Sequence, residues 1–287
     1  MRLAASAPCK INRELRVGGL RPDGYHEVRS RMVTIDLADA LSAEESDRVG
    51  LSCDDPSLPT GSGNLVVRAA ERLAEAAGVR RGAALRLEKR VPAGGGLGGG
   101  SSDAVCALRL LSALWRLSAS EEDLAQVAAR LGSDVPFFLF GGEAEVSGRG
   151  ESVAALPDSG SEAAELLLLV PPLSISTAAV YREYAGRGRL PVRLALDEKG
   201  GSGFLGPNDL APAVLALEPR MEAYVRSAAE ATSDWAISGS GATIVLHAAP
   251  EGTAEALRRR HPEARILACR TLSRAEYSRT TRPTEVT

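Results

Sequence analysis

The 287-residue chain contains only four cysteines, Cys9, Cys53, Cys106 and Cys269, and no two of them stand at a CxxC spacing. That excludes a zinc ribbon and a redox pair of the usual spacing. A disulfide framework is not expected in a chain of this size with its own core. No run of about 18 or more apolar residues occurs, the length a membrane-crossing helix needs. The opening stretch MRLAASAPCKINREL also lacks the apolar core of a secretory signal. The expected setting is therefore the reduced cytoplasm, with no membrane partner. Positive charge is not in excess either: 34 Lys and Arg stand against 37 Asp and Glu, a net charge of −3. No global basic field is available to hold nucleic acid, and LRRRHPEAR (257–265) reads as a solvated helix end. The remaining composition, 44% hydrophobic and 25% charged, is that of an ordinary globular protein, long enough for two domains or one large one.

Along the chain, residues 1–20 read as one or two strands, followed by a tight turn at Pro22-Asp23-Gly24. Residues 29–41 alternate as a strand, and VGLSC allows one more short strand. A helix is predicted over 64–79, with Leu65, Ala69, Leu73 and Ala76 on one face and Gly78 as its stop. A strand over 83–91 leads into a glycine cluster, from which a helix starts near Asp103 and ends near Trp115. Acids after Ser120 suit the start of another helix. Residues 134–151 read as strand closed by glycines, and the polar break at 157–165 as a domain boundary, dividing the chain into 1–157 and 158–287. The second half opens on the strand LLLLVP and a helix through SISTAAVYREY. A long surface loop (186–209), further helices and a strand–turn–strand at WAISGSGATIVLHA follow, and the tail from Ser273 is expected to be partly disordered.

The stretch Pro92-Ala93-Gly94-Gly95-Gly96-Leu97-Gly98-Gly99-Gly100-Ser101-Ser102 places six glycines within seven positions. Glycine loses more conformational freedom on folding than any other residue, so the cluster calls for a compensating reason. Gly94-x-Gly96-x-x-Gly99 fits the dinucleotide fingerprint by letter, but a second helix follows where a βαβ unit needs a strand. No Lys-Ser/Thr pair closes the loop as in the Walker pattern. A purely structural turn is the bland alternative. The remaining reading is an anion cradle: bare backbone N–H groups, hydroxyls from Ser101 and Ser102, and the positive end of the following helix converge on a polyphosphate.

The motif PAGGGLGGGSSDA resembles the second motif of the GHMP kinase superfamily. APCKIN (7–12) with RPDGYHE (21–27), LGSDVPFFLFGGEAEVSGRGE (131–151) and SGSGAT (238–243) agree with that superfamily in order, and GNLVVRAA (63–70) and NDL (208–210) also fit. The Asp-Gly-Tyr-His-Glu string is similar to the branch acting on a cytidine-diphosphate-linked alcohol in non-mevalonate isoprenoid synthesis. The resemblance implies an α+β, two-domain GHMP kinase fold, with a ribosomal-protein-like amino-terminal domain and a ferredoxin-like carboxy-terminal one. It implies ATP as phosphoryl donor with Mg²⁺, for which the sequence shows no protein ligand. Lys10 and Asp134 are the implied catalytic pair, the carboxylate taking the acceptor's hydroxyl proton and the ammonium offsetting developing charge. Pro92 to Ser102 would hold the phosphates, with Asn64, Leu65 and Val66 near the adenine. Tyr25, His26 and Tyr181 would hold the cytosine by stacking and edge hydrogen bonds. Asn12, Gly239 and Gly241 would lie on the acceptor side. Taken singly, each of these residues also has an ordinary structural reading. Arg13 and Glu14, where the family more often has apolar residues, place charge on a strand expected to be partly buried. A monomer or weak homodimer is expected.

Overall fold

In the computed structural model, residues 1–157, 163–187 and 203–286 are described. The chain opens with β1 (Arg2–Leu20), β2 (His26–Ser46), β3 (Gly50–Cys53), α1 (Leu65–Ala77), β4 (Gly82–Glu88), α2 (Gly99–Leu114) and α3 (Glu121–Ala129). Then come α4 (Phe137–Phe140), β5 (Glu143–Gly148), β6 (Ser152–Ala155), β7 (Glu165–Val170), α5 (Thr177–Gly186), α6 (Ala211–Leu217) and α7 (Met221–Ala231). It closes with β8 (Trp235–Ile237), β9 (Ile244–His247), α8 (Thr253–Arg260), β10 (Arg265–Arg270), α9 (Arg274–Thr280) and β11 (Thr284–Val286). Among the described residues, one mixed sheet runs β11-β1-β2-β4-β3, with β5 and β6 attached along the first half of β2, and a second antiparallel sheet runs β10-β7-β9-β8. The architecture is α+β.

Apolar side chains under the first sheet meet α1, α2 and α3 in one core, and the second sheet builds its own against α5, α6 and α7. A third cluster joins the two layers: Cys9, Ile11, Val33 and Ile35 from β1 and β2 pack with Leu166, Leu168 and Val245 of the second sheet. Alternation along β1 decides what faces this seam. The β1–β2 register shifts between Pro8 and Lys10 and again between Asn12 and Glu14, so Lys10 and Asn12 sit in a short segment bracketed by two irregularities. Pro8 has no N–H to offer the ladder. The Lys10 amide leaves the ladder too, donating to Leu97 O at 2.9 Å in the glycine loop.

Several expectations hold. α1 is capped by Asn64, whose side chain accepts from Val66 N, and stopped by Gly78 at φ +64°. The charge at Arg13 is accommodated: its guanidinium pairs with Glu143, lies 3.9 Å over the Phe204 ring and donates to Phe204 O. Others are corrected. α2 begins at Gly99, not near Asp103, because Gly98 takes the left-handed backbone (φ +69°) that starts a helix there. Residues 134–140 are turn and short helix rather than strand, since Pro136 sits in helical backbone and turns Phe137 and Phe138 into the core. The tail is ordered: Ser273 and Glu276 form a capping box for α9, and β11 pairs with β1 from Arg2↔Val286 to Ala4↔Thr284. The division after residue 157 and residues 188–202 of the expected surface loop lie outside the described residues.

Candidate active site

A cleft of about 440 Å³ opens between the two sheets, lined by Lys10, Asn12, Asp134, the loop from Pro92 to Ser101, Tyr181 and the Gly239-Ser240 turn. Lys10 and Asp134, far apart in sequence, meet there at 3.5 Å. Lys10 is 3% exposed, whereas the Asp134 side chain is 37% exposed. The ammonium also donates to Asn12 Oδ1 (2.6 Å) and Gly96 O (3.1 Å). Three donors thus face three oxygens, which fixes the group in direction as well as place. Asn12 is held in turn, donating through Nδ2 to Ser30 Oγ at 2.7 Å.

The glycine loop is organised by its carbonyls. Gly95 O accepts from Thr243 N, Gly96 O from Ser238 Oγ and Lys10 Nζ, and Leu97 O from Lys10 N. Among the described residues, the backbone N–H groups from Gly94 to Ser101 donate to no protein acceptor. A run of free amides entering the positive end of a 16-residue helix is an anion site in waiting. Two glycines are dictated by close approach. A Cβ on Gly96 would stand 2.1 Å from Ser238 O, and one on Gly98 3.1 Å from Lys10 Cε.

The remaining expected residues divide. Asn64, Leu65 and Gly239 line the cleft. Val66 is wholly buried and does not, and Gly241 lies behind the turn, near Val214 and Ile237. The Ser102 hydroxyl is not an available donor, a correction: it is buried and donates to Pro8 O at 2.7 Å, tying α2 to β1. His26 lies 5.6 Å from the Tyr181 ring and 5.8 Å from that of Tyr184, centroid to centroid. Burial first, and then the charge of Asp134, push the Tyr181 phenol up to about 12. Tyr25 is 52% exposed, with the Arg149 guanidinium 5.1 Å from its ring centre. Arg149 and Lys89 line the cleft and Ser238 braces the loop, yet sequence reasoning passed over all three. Arg149 and Ser238 stand inside the matched stretches 131–151 and 238–243 and Lys89 just before the glycine motif, but nothing in those letters singles them out; the folded register does.

Comparison with known proteins decides the family. The GHMP kinases N-terminal domain matches residues 64–142. A 4-diphosphocytidyl-2-C-methyl-D-erythritol kinase of Salinibacter ruber is 40% identical over 264 residues, covering 89% of this chain and 93% of the relative. One of Pelotomaculum thermopropionicum is 38% identical, covering 95% and 99%. The chain belongs to the 4-diphosphocytidyl-2-C-methyl-D-erythritol kinase family. A crystal structure of a 4-(cytidine 5'-diphospho)-2C-methyl-D-erythritol kinase superimposes with a TM-score of 0.74 at 35% identity, over 93% of this chain and 98% of that one. As in other GHMP kinases, the two-sheet α+β fold is the family's fold, and in this kinase the inter-sheet cleft holds the Lys10–Asp134 pair beside the free loop amides.

Proposed function

We propose that this kinase transfers the γ-phosphoryl group of ATP to the 2-hydroxyl of 4-diphosphocytidyl-2-C-methyl-D-erythritol, in the non-mevalonate route to isoprenoid precursors. The observation that carries the reading is the 3.5 Å Lys10–Asp134 pair, joined through the same ammonium to Gly96 of a loop with unengaged amides. The loop amides bind the phosphates and the dipole of α2 adds to their pull. Asp134 takes the proton from the acceptor hydroxyl as the hydroxyl oxygen attacks the γ-phosphorus, the bond to the bridging oxygen breaks and ADP leaves, while Lys10 balances charge building on the transferred group. Mg²⁺ would accompany ATP and would help neutralise the charge of its phosphates. Among the described residues no cluster of three or more His, Cys, Asp or Glu side chains is placed to hold a metal ion.

The acceptor is tested with a panel. With ATP present, product is expected from the diphosphocytidyl compound and not from mevalonate or homoserine. Turnover of either of those alone would make the chain a different small-molecule kinase. ATP binding without turnover of any alcohol would make it a non-catalytic nucleotide module.

Tyr25, His26 and Tyr181 hold the cytosine in this reading, by stacking and edge hydrogen bonds. Stacking is the same in ground and transition states, so it affects binding more than chemistry. Tyr25→Ala is therefore expected to raise the acceptor KM by roughly tenfold while kcat changes by less than about threefold. An unchanged acceptor KM in steady-state assays removes Tyr25 from the base site.

A further inference from the structure

Beneath the glycine loop lies a second charged cluster that the phosphoryl-transfer chemistry does not use. Asp39 on β2 is buried, and its Oδ1 accepts from Arg90 N (2.6 Å) and Val91 N (2.9 Å), the two residues leading into Pro92. Lys89, in the same segment, pairs with the other Asp39 oxygen and, at 2.9 Å, with Asp103 Oδ2. Asp103 belongs to α2, beyond the loop's far end. One ammonium thus ties the chain entering the loop to the helix leaving it. Lys89 and Asp103 both line the cleft. Lys89 Nζ lies 3.4 Å from the point where a Cβ on Gly99, the first residue of α2, would stand.

Stability does not account for this cluster. Two carboxylates and one ammonium are all nearly or wholly buried, and buried ion pairs are on balance no better than apolar packing. Asp103 Oδ1 is moreover buried without a hydrogen-bond partner. Burial pushes the Asp103 carboxyl up to about 7 even against the pull of Lys89, with the negative charge of Asp39 adding to the rise. What the cluster imposes is geometry: it ties Arg90, Val91 and α2 to one point on β2.

We propose that the buried Asp39–Lys89–Asp103 triad is a positioning device for the nucleotide: it staples the two ends of the glycine loop together, fixes the spacing of the loop amides, and so sets affinity for ATP without affecting the acceptor. The inference rests on the kinase reading above. None of the three residues touches the reacting atoms; they act through the loop. Asp103 is the member to change, because removing it leaves Lys89 and Asp39 as a neutral pair rather than stranding a charge.

The test is steady-state kinetics with ATP and the diphosphocytidyl acceptor on the intact chain, comparing wild type, Asp103→Asn and Asp103→Ala. Asparagine keeps the shape and an oxygen for Lys89 but exchanges an ion pair for a weaker ammonium–amide hydrogen bond. It is expected to raise the KM for ATP about two- to fourfold, and alanine about tenfold or more, with the acceptor KM within about twofold in both. An ATP KM within twofold of wild type in a folded alanine variant overturns the proposal, as does an equal rise in both KM values, the sign of general damage. If the alanine variant does not fold, the asparagine variant decides by the same comparison: a selective ATP effect supports the staple and its absence overturns it. An inactive wild type would instead sink the kinase reading, so the two failures are told apart.

Discussion

Asp134→Asn is expected to lower turnover by ~10²–10⁴, the usual scale for losing a general base. Asparagine is nearly isosteric and still offers Lys10 an oxygen at the 3.5 Å position, so the ammonium keeps its partners on Asn12 and Gly96. What is lost is the capacity to take the hydroxyl proton. The half-exposed carboxylate stands at the mouth of the cleft, where an alcohol can reach it, while its partner lysine is buried. The KM for ATP is therefore expected to stay within about threefold of wild type, since the loop amides are untouched. Single-turnover phosphorylation of the acceptor, with a melting curve to confirm folding, measures this. Near-normal turnover would mean that the proton goes elsewhere and that Asp134 only orients Lys10.

Gly96→Ala is the second large effect, and it arises from space rather than charge. At φ +75° the backbone is one that side chains rarely adopt, and the added methyl would stand 2.1 Å from Ser238 O and 3.1 Å from Gly241 O. Both are main-chain atoms of the second sheet's turn, so neither can rotate away. The loop must then retreat from Ser238, which breaks the bond from Ser238 Oγ to Gly96 O and shifts the atom to which Lys10 Nζ donates. A displacement on the order of 1 Å in a positioned group costs about 10²-fold in rate. Accordingly, kcat/KM for ATP is expected to fall by roughly 10²-fold or more. Gly100→Ala is the internal control: its Cβ would meet nothing closer than Leu65 Cδ1 at 3.8 Å. Equal losses in the two variants would show that helix entry, not the approach to Ser238, governs the loop.

The motif residues were readable because their chemistry constrains letters at fixed spacing. The glycine loop stands out in that way, whereas Lys10 and Asp134, each of which alone reads as an ordinary charge, were marked by the family resemblance; the structure brings all three to one cleft. Helix ends were readable where a cap is a local event, as at Asn64 and Gly78. Misreadings came where tertiary packing decided. VPFFLF has strand-like letters, but Phe137 and Phe138 are wanted in the core beside α2, and a short helix delivers both. The polar tail looked loose because its order comes from Tyr277, buried against Gly141, and from pairing with β1, neither of which local composition reveals. Ser102 has the same letter as Ser101, yet one helical step turns it inward to Pro8. The Asp39–Lys89–Asp103 cluster joins three segments separated by 50 and 14 positions, and no window of sequence holds all of it.

The pairing of β11 with β1 bears on how the molecule is made. Residues 284–286 cover one edge of β1 at Arg2 to Ala4, a few positions before Lys10. A chain in which this segment has come loose presents an unpaired strand margin to its neighbours. Closing that edge joins residues some 280 positions apart, a contact of long sequence separation that carries a large loop-closure cost.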